Sequence, residues 1–160
     1  MKKILATILA LVLAIGVTTM AWATETAAEK VAKVGETEYA TLQEAVNAAD
    51  GKTVQLLQDV TASITIESGK TVTLDLNGKT LTNEDGQHTI TNNGTLTIVD
   101  TSAAKSGTVD NVTHAKGAIV NYGVTVLNGG TFERSQEKGT YSPYGNGGNS
   151  WYTIANYGKM

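Results

Sequence analysis

The chain of 160 residues contains no cysteine, a single proline and few aromatic residues, which make up 6% of the sequence. Without cysteine it has no disulfide framework, no thiolate metal site and no thiol nucleophile. An excess of charge of one sign is also lacking, because 12 basic residues stand against 15 acidic ones and the net charge is −3. This weak acidity gives no electrostatic reason to expect nucleic acid or an anionic membrane as a partner.

The long apolar run at the N-terminus predicts a secretory signal peptide over residues 1–23. Lys2 and Lys3 form a positive start, an uncharged apolar run follows over residues 4–17, and an Ala-Trp-Ala cleavage motif ends at Ala23. A transmembrane anchor is the alternative, but the run is shorter than the roughly 20 apolar residues that span a bilayer. We therefore expect an exported protein, extracellular or in the cell envelope, with no membrane span after cleavage.

The rest of the chain is expected to form a flexible, solvated leader over residues 24–33 and one domain over residues 34–160. Within the domain, residues 41–49 predict one short helix, because Thr41 and Glu44 form a capping box and apolar residues recur at helical spacing. Such a short helix is not stable alone in water, so we expect it to lie on an apolar surface.

After this helix the apolar period changes from 3.6 to 2, which indicates strands with one buried and one solvated face. Threonine (25 residues), glycine (17) and asparagine (11) are abundant, as is typical of short strands separated by tight turns. Because side chains alternate along a strand, Leu74, Leu96 and Val126 are expected to point inward. The neighbouring threonines are expected to face solvent: Thr73, Thr97 and Thr125.

A sequence pattern recurs along the strands. An Ile-x-Asn-x-Gly pattern occupies residues 90–94, 119–123 and 154–158, and a glycine followed by alternating threonine and apolar residues recurs with it. The glycines at positions 69, 94, 123 and 158 are separated by 25, 29 and 35 residues. Periods in this range predict a repeat architecture with loops of variable length on one side.

This layout resembles the right-handed parallel β-helix repeats, of the pectin-lyase-like type, that occur in exported bacterial cell-surface proteins. Such chains often carry a TLQEAVNAA-type helix, present here at 41–49, and a GKTVTLDLNGKTL-type rung, present at 69–81. The resemblance covers about residues 34–160. It implies an all-β solenoid whose short N-terminal α-helix caps one end of the column. A leucine-rich repeat is the alternative fold, disfavoured because no repeat helix follows the strands.

Three asparagines, Asn92, Asn121 and Asn156, hold equivalent positions in the repeated pattern. In a stacked solenoid they would form a structural ladder, with side-chain amides paired from rung to rung; three independent turn asparagines are the alternative. The last copy of the pattern stops before its expected strand. Because an uncapped solenoid end exposes core and unpaired backbone, we expect the chain to be the N-terminal part of a longer protein.

Few residues point to catalysis. Arg134 is the single arginine of the chain, and His88 and His114 are isolated residues that we expect at the surface. Asp75 and Asp100 lie at similar places in successive repeats, where two carboxylates could hold a hard cation, but solvated surface acids are the expectation. We therefore predict no catalytic residue, no metal site and no cofactor.

The candidate ligand-binding residues are Tyr141, Tyr144, Trp151 and Tyr152, which flank a loop rich in glycine and asparagine. Exposed aromatic rings can stack on sugars while amides supply hydrogen bonds; packing of these rings against the outside of the column is the alternative. By resemblance we expect a non-enzymatic stalk or adhesin-like module that presents loops to polysaccharide, cell-surface glycan or host matrix. The alternatives are the N-terminal part of a polysaccharide lyase or glycoside hydrolase, and a purely structural spacer.

Overall fold

The computed structural model describes residues 28–113, 116–135 and 152–160, so the predicted signal peptide lies outside the described residues. These ranges form one helix, α1 (Leu42–Ala48), which is too short to cross a membrane. They also form fourteen short strands: β1 (Ala32–Val34), β2 (Thr37–Tyr39), β3 (Lys52–Leu56), β4 (Val60–Thr61), β5 (Ile64–Ile66), β6 (Thr71–Asp75), β7 (Thr80–Thr82), β8 (Ile90–Asn92), β9 (Thr95–Val99), β10 (Thr108–Asp110), β11 (Ile119–Asn121), β12 (Val124–Leu127), β13 (Thr131–Glu133) and β14 (Ile154–Asn156).

The strands form three sheets, and from β3 onward the chain enters these sheets in turn. The neighbours are β3, β6, β9 and β12 in the first sheet, β4, β7, β10 and β13 in the second, and β5, β8, β11 and β14 in the third. Every pairing within these three sets is parallel. We call each group of three consecutive strands a repeat unit. The predicted all-β class, with one short helix, is confirmed.

The inward faces of the three sheets share one apolar core. Leu74 and Leu96 of the first sheet, Leu81 of the second, and Ile90 and Ile119 of the third are all fully buried in it. An isolated pair of short strands is marginally stable in water. Burial between neighbouring units therefore stabilises strands of two to five residues that local propensity alone would not hold.

Helix α1 covers the free edge of β5, the outermost strand of the third sheet. One half of the predicted capping box is present, because the hydroxyl of Thr41 accepts a hydrogen bond from the backbone N–H of Glu44 at 3.3 Å, whereas the Glu44 side chain makes no return bond to Thr41 among the described residues. The Gln43 side chain pairs with the backbone of Thr65 in β5, donating to its carbonyl at 3.0 Å and accepting from its N–H at 2.8 Å. The side-chain amide thus takes the place of a neighbouring strand.

An antiparallel hairpin of β1 and β2 covers the first sheet, because β1 pairs with β3. Ala32 and Lys33, which the sequence pattern places in a solvated leader, belong to β1, and Ala32 is fully buried. The predicted boundary at residue 34 is therefore two residues late. An Ala/Lys-rich composition does not reveal a strand whose pairing partner lies beyond the helix.

In β12, the first strand of the last repeat unit, the side chains predicted to point inward point outward, and those predicted to point outward point inward. Thr125 is fully buried and Val126 is 41% exposed, so the prediction that Val126 points inward was wrong, whereas Leu74 and Leu96 do point inward. The reason is the register: Thr125, not Val126, lies opposite Leu96. A hydrogen bond from the Asn92 amide to the Thr125 hydroxyl, at 2.9 Å, satisfies the buried oxygen.

The register also corrects the first repeat spacing. Thr71 pairs with Thr95, 24 residues further along the chain, so Lys70 rather than Gly69 lies opposite Gly94. Gly69 instead has a φ of +83° in the turn before β6. The glycines that hold equivalent positions in successive repeat units are therefore Gly94, Gly123 and Gly158, without Gly69.

Candidate functional site

The three predicted asparagines lie together at the ends of β8, β11 and β14. The Asn92 side-chain amide donates to Asn121 Oδ1 at 2.9 Å, and the Asn121 amide donates to Asn156 Oδ1 at 2.7 Å. Asn92 and Asn121 are fully buried. We call these three residues the asparagine ladder.

Backbone groups, and for Asn92 also the Thr125 hydroxyl, complete the hydrogen bonding of the two buried asparagines. The Asn92 amide also donates to the carbonyl of Val124 at 2.9 Å, and that of Asn121 to the carbonyl of Lys159 at 2.8 Å. Each asparagine Oδ1 accepts from the glycine N–H two residues later, at 3.1, 3.2 and 3.3 Å along the ladder. Satisfied buried amides of this kind rigidify a structure, because leaving one unpaired is costly.

Close backbone packing requires the glycine that stands two residues after each ladder asparagine. A Cβ atom at Gly123 would lie 2.0 Å from the carbonyl oxygen of Gly94, and one at Gly158 would lie 2.1 Å from that of Gly123. No side chain fits at these distances. The repeated Ile-x-Asn-x-Gly pattern thus encodes a corner at which successive units make direct backbone contact.

Two tyrosines project from this corner into solvent. Tyr122 and Tyr157 each occupy the position between the ladder asparagine and its glycine, and they are 57% and 66% exposed. Their rings stack with centroids 5.4 Å apart and planes inclined by 12°. A hydrogen bond with Tyr152 raises the pKa of the Tyr157 hydroxyl above its ordinary value. We call Tyr122, Tyr152 and Tyr157 the tyrosine patch.

The patch overlaps only partly with the aromatic residues singled out in the sequence. Tyr152 belongs to both sets and is 41% exposed, whereas Tyr141, Tyr144 and Trp151 lie outside the described residues. Tyr122 and Tyr157 were missed, although a signal existed. Their recurrence between asparagine and glycine in two copies of one pattern places them at equivalent positions of neighbouring units.

Asp75 and Asp100 are 2% and 4% exposed, so the prediction that they are solvated surface acids was wrong. The Asp75 carboxylate accepts hydrogen bonds from the Gln55 side chain at 2.8 Å and from the Thr101 hydroxyl at 2.7 Å. The Asp100 carboxylate accepts from backbone N–H groups, that of Gly107 at 2.7 Å among them. Both carboxylates therefore hold turns together, and the described residues contain no cluster of three potential metal ligands.

These hydrogen bonds keep both carboxyl groups ionised. Burial by itself raises the pKa of Asp75 and of Asp100, but the hydrogen bonds that each accepts outweigh burial, so both pKa values lie below the ordinary value. A lowered pKa in the folded state stabilises the fold above the unfolded-state pKa of about 3.9. This stabilisation is lost as pH falls through the lower, folded-state pKa.

We therefore expect the melting temperature to fall as the pH drops below about 4, and Asp100→Asn to weaken that dependence. At neutral pH the same variant should lose about 1–3 kcal/mol of stability, because an amide donor would face the backbone N–H groups from which Asp100 now accepts. Thermal melts from acidic to neutral pH measure both effects. An Asp100→Asn curve parallel to that of the wild type throughout would contradict the assignment.

His88 is half-buried, so it is less exposed than the solvated surface histidine that the sequence suggests. The Gly117 N–H donates to His88 Nδ1 at 2.9 Å, which requires that this nitrogen be unprotonated. Burial lowers the pKa of His88, and the nearby charges of Lys116 and Arg134 lower it further. Arg134 Nε donates to the Lys116 carbonyl at 2.6 Å. This hydrogen bond links the segment after β13 to the segment between β10 and β11 in the preceding repeat unit. His114 lies outside the described residues.

The described part of the chain has no enclosed pocket. Comparisons of the chain with protein-family models, with curated proteins and with solved structures give no match. A function is therefore inferred from the residues of this chain, and the tyrosine patch is the described feature with the most exposed aromatic surface.

Proposed function

We propose that the protein is an exported, non-enzymatic surface or secreted protein that binds polysaccharide or cell-surface glycan through its tyrosine patch. The observation that carries this proposal is the stacked, largely exposed pair of Tyr122 and Tyr157. In a chain with 6% aromatic residues, two rings held side by side in water at a rigid corner require an explanation beyond core packing.

The proposed fold is a right-handed parallel β-helix. Its support is the way the chain enters three parallel sheets in turn, with strand directly beside equivalent strand from one unit to the next. The asparagine ladder and the covered N-terminal end are further features that such a column needs. The resemblance of residues 34–160 to pectin-lyase-like repeats of exported proteins agrees with this proposal.

Sugars are the ligand class that best fits the tyrosine patch. The C–H faces of a pyranose ring are flat and apolar, its hydroxyls need hydrogen-bond partners, and binding sites combine aromatic faces with a few polar groups. The phenolic hydroxyls of Tyr152 and Tyr157 provide such groups. Asn93, which lies opposite Tyr122 in the neighbouring unit, adds a half-buried side-chain amide.

Preorganisation supports the assignment. The backbone on both sides of Tyr122 is fixed, because Asn121 is fully hydrogen-bonded and Gly123 contacts the preceding unit. A ring on such a support loses little conformational freedom when a ligand binds, which favours affinity. Binding residues commonly project in this way from a rigid scaffold.

Export is proposed from the character of residues 1–23, with their positive start, apolar run and cleavage motif. The absence of cysteine from the chain is compatible with an oxidising environment, since no free thiol is exposed to oxidation there. A glycan ligand at the cell surface or outside it fits this location.

The proposal predicts that the chain beginning at Thr24 is retained on insoluble polysaccharides or on immobilised plant or host glycans. Tyr157→Ala should weaken binding about tenfold, equivalent to about 1.4 kcal/mol, because it removes one ring of the stacked pair. Tyr157→Phe keeps the ring and should retain most of the affinity. Quantitative pull-down with polygalacturonate, cellulose, chitin and mixed glycans measures these effects.

The control is Val126→Ala, which shortens an exposed apolar side chain on the first sheet. It should leave glycan binding unchanged. Equal retention of Tyr157→Ala and wild type would remove the tyrosine patch from the binding site. Failure of the wild type to bind any of these glycans would favour a structural spacer.

A further inference from the structure

The two ends of the three sheets differ. At the N-terminal end, helix α1 covers β5 and the hairpin of β1 and β2 covers β3. At the other end, β13 and β14 are the outermost strands of their sheets within the described residues, and Lys159 alone pairs with the outer edge of β12. An outermost strand presents backbone groups that a further strand can pair with.

The asparagine ladder ends at this same place with an unused donor. Asn156 Oδ1 accepts from the Asn121 amide and from the Gly158 N–H, in the same way as the other ladder oxygens. Its own amide nitrogen, unlike those of Asn92 and Asn121, has no hydrogen-bond partner among the described residues. Asn156 is also exposed, whereas the other two are buried.

We propose that this end binds an extended polypeptide strand of the pattern Ile-x-Asn-x-Gly, aligned in parallel with β14. The asparagine of the bound strand would lie opposite Asn156 and accept its free amide hydrogen. Main-chain pairing supplies affinity in strand addition of this kind, and the side chains set the register.

The contacts between units already present in the structure define the required sequence. Ile119 lies opposite Ile154 and Asn121 opposite Asn156, so a strand added beyond β14 would repeat isoleucine and asparagine at these spacings. Glycine is required two residues after the asparagine, because a Cβ at Gly158 would lie 2.1 Å from the carbonyl oxygen of Gly123 in the equivalent contact.

The tyrosine patch adds a preference at the residue between asparagine and glycine. Tyr122 stacks on Tyr157 at 5.4 Å from one unit to the next. A tyrosine at this position of the bound strand would stack on Tyr157 in the same manner. The favoured ligand is therefore an extended segment containing Ile-x-Asn-Tyr-Gly, with aliphatic residues following the glycine.

The probe is a blocked, fluorescein-labelled peptide that copies residues 117–128 of the chain itself. Fluorescence anisotropy with the purified chain should show saturable binding of this peptide. Peptides carrying Asn121→Ala or Gly123→Ala should bind at least about tenfold more weakly, the first through a lost hydrogen bond and the second through the backbone clash.

Two variants of the chain complete the test. Asn156→Asp keeps the oxygen that accepts from Asn121 and Gly158 but replaces the free amide by a second oxygen, so it should fold and bind the peptide at least about tenfold more weakly. Thr97→Asp places the same charge on β9, away from this end, and should bind normally. Equal affinity of the three peptides, equal binding by Asn156→Asp and wild type, or no binding at peptide concentrations on the order of 1 mM would overturn the proposal.

Discussion

Leu96→Asp is expected to destabilise the protein by at least about 4 kcal/mol, which is a large part of the roughly 5–15 kcal/mol by which a typical domain is stable. Leu96 is fully buried in the shared core, between the equivalent residues of the neighbouring units. An aspartate there would have to enter the core as an unpaired charge or take up a proton. Thermal and urea unfolding, followed by circular dichroism, measure the loss.

The control for this variant is the adjacent residue. Thr97 lies on the outward face of β9, so Thr97→Asp should change stability by about 0.5 kcal/mol or less. In the last unit the alternation is reversed, and Val126→Asp should be tolerated although it replaces an apolar residue. Comparable losses for Leu96→Asp and Thr97→Asp would show that the register is wrong.

Gly123→Ala is expected to cost about 3 kcal/mol or more, although it adds only a methyl group. The added Cβ would lie 2.0 Å from the carbonyl oxygen of Gly94, and backbone on both sides prevents a small local adjustment. Relief of the clash would separate the two units and break the hydrogen bond between Asn92 and Asn121. Chemical denaturation gives the free-energy change directly.

Gly69→Ala separates this clash from the general effect of replacing glycine. Gly69 has a φ of +83°, and no atom lies within 4 Å of the position that an added methyl group would take. Alanine there should therefore cost only the backbone strain of about 1–2 kcal/mol. Equal losses at the two positions, or a Gly123→Ala variant as stable as the wild type, would contradict the close contact between units.

Local features were predictable from the sequence because their causes are local. The capping box at Thr41 and Glu44 predicted helix α1 to within a residue or two, and its hydroxyl-to-backbone bond is present. Alternation predicted that Leu74 and Leu96 point inward. The repeated pattern marked Asn92 and Asn121 as equivalent, and parallel pairing makes them neighbours.

The errors arose where a distant contact overrides the local pattern. In the last unit the glycine and asparagine contacts align Thr125 with the inward-facing Leu96. The valines of β12 therefore lie opposite outward-facing threonines, although their alternation in the sequence resembles that of the buried residues of β9. Asp75 is buried because Gln55 and Thr101, each 20 or more residues away, supply its hydrogen bonds. Neither partner can be recognised before the units are placed side by side.

The tyrosine patch shows the same limit for the site. Composition and loop character directed attention to the aromatic residues near the glycine-rich segment, of which Tyr152 lies in the described patch. Tyr122 and Tyr157 are 35 residues apart, and they form one surface because the units that carry them are paired. The sequence pattern alone does not specify whether the residue between the asparagine and the glycine points toward the core or into solvent.

The most direct test of the proposed function is a single incubation that measures binding and product release together. The chain beginning at Thr24 is mixed with an excess of each glycan, and both the bound fraction and the soluble unsaturated or reducing-end products are determined. A non-enzymatic binding protein should show binding that falls about tenfold in Tyr157→Ala, with products at the level of a buffer blank. Product release above the blank that is abolished by Arg134→Ala would contradict this function, and would identify a polysaccharide-cleaving enzyme instead.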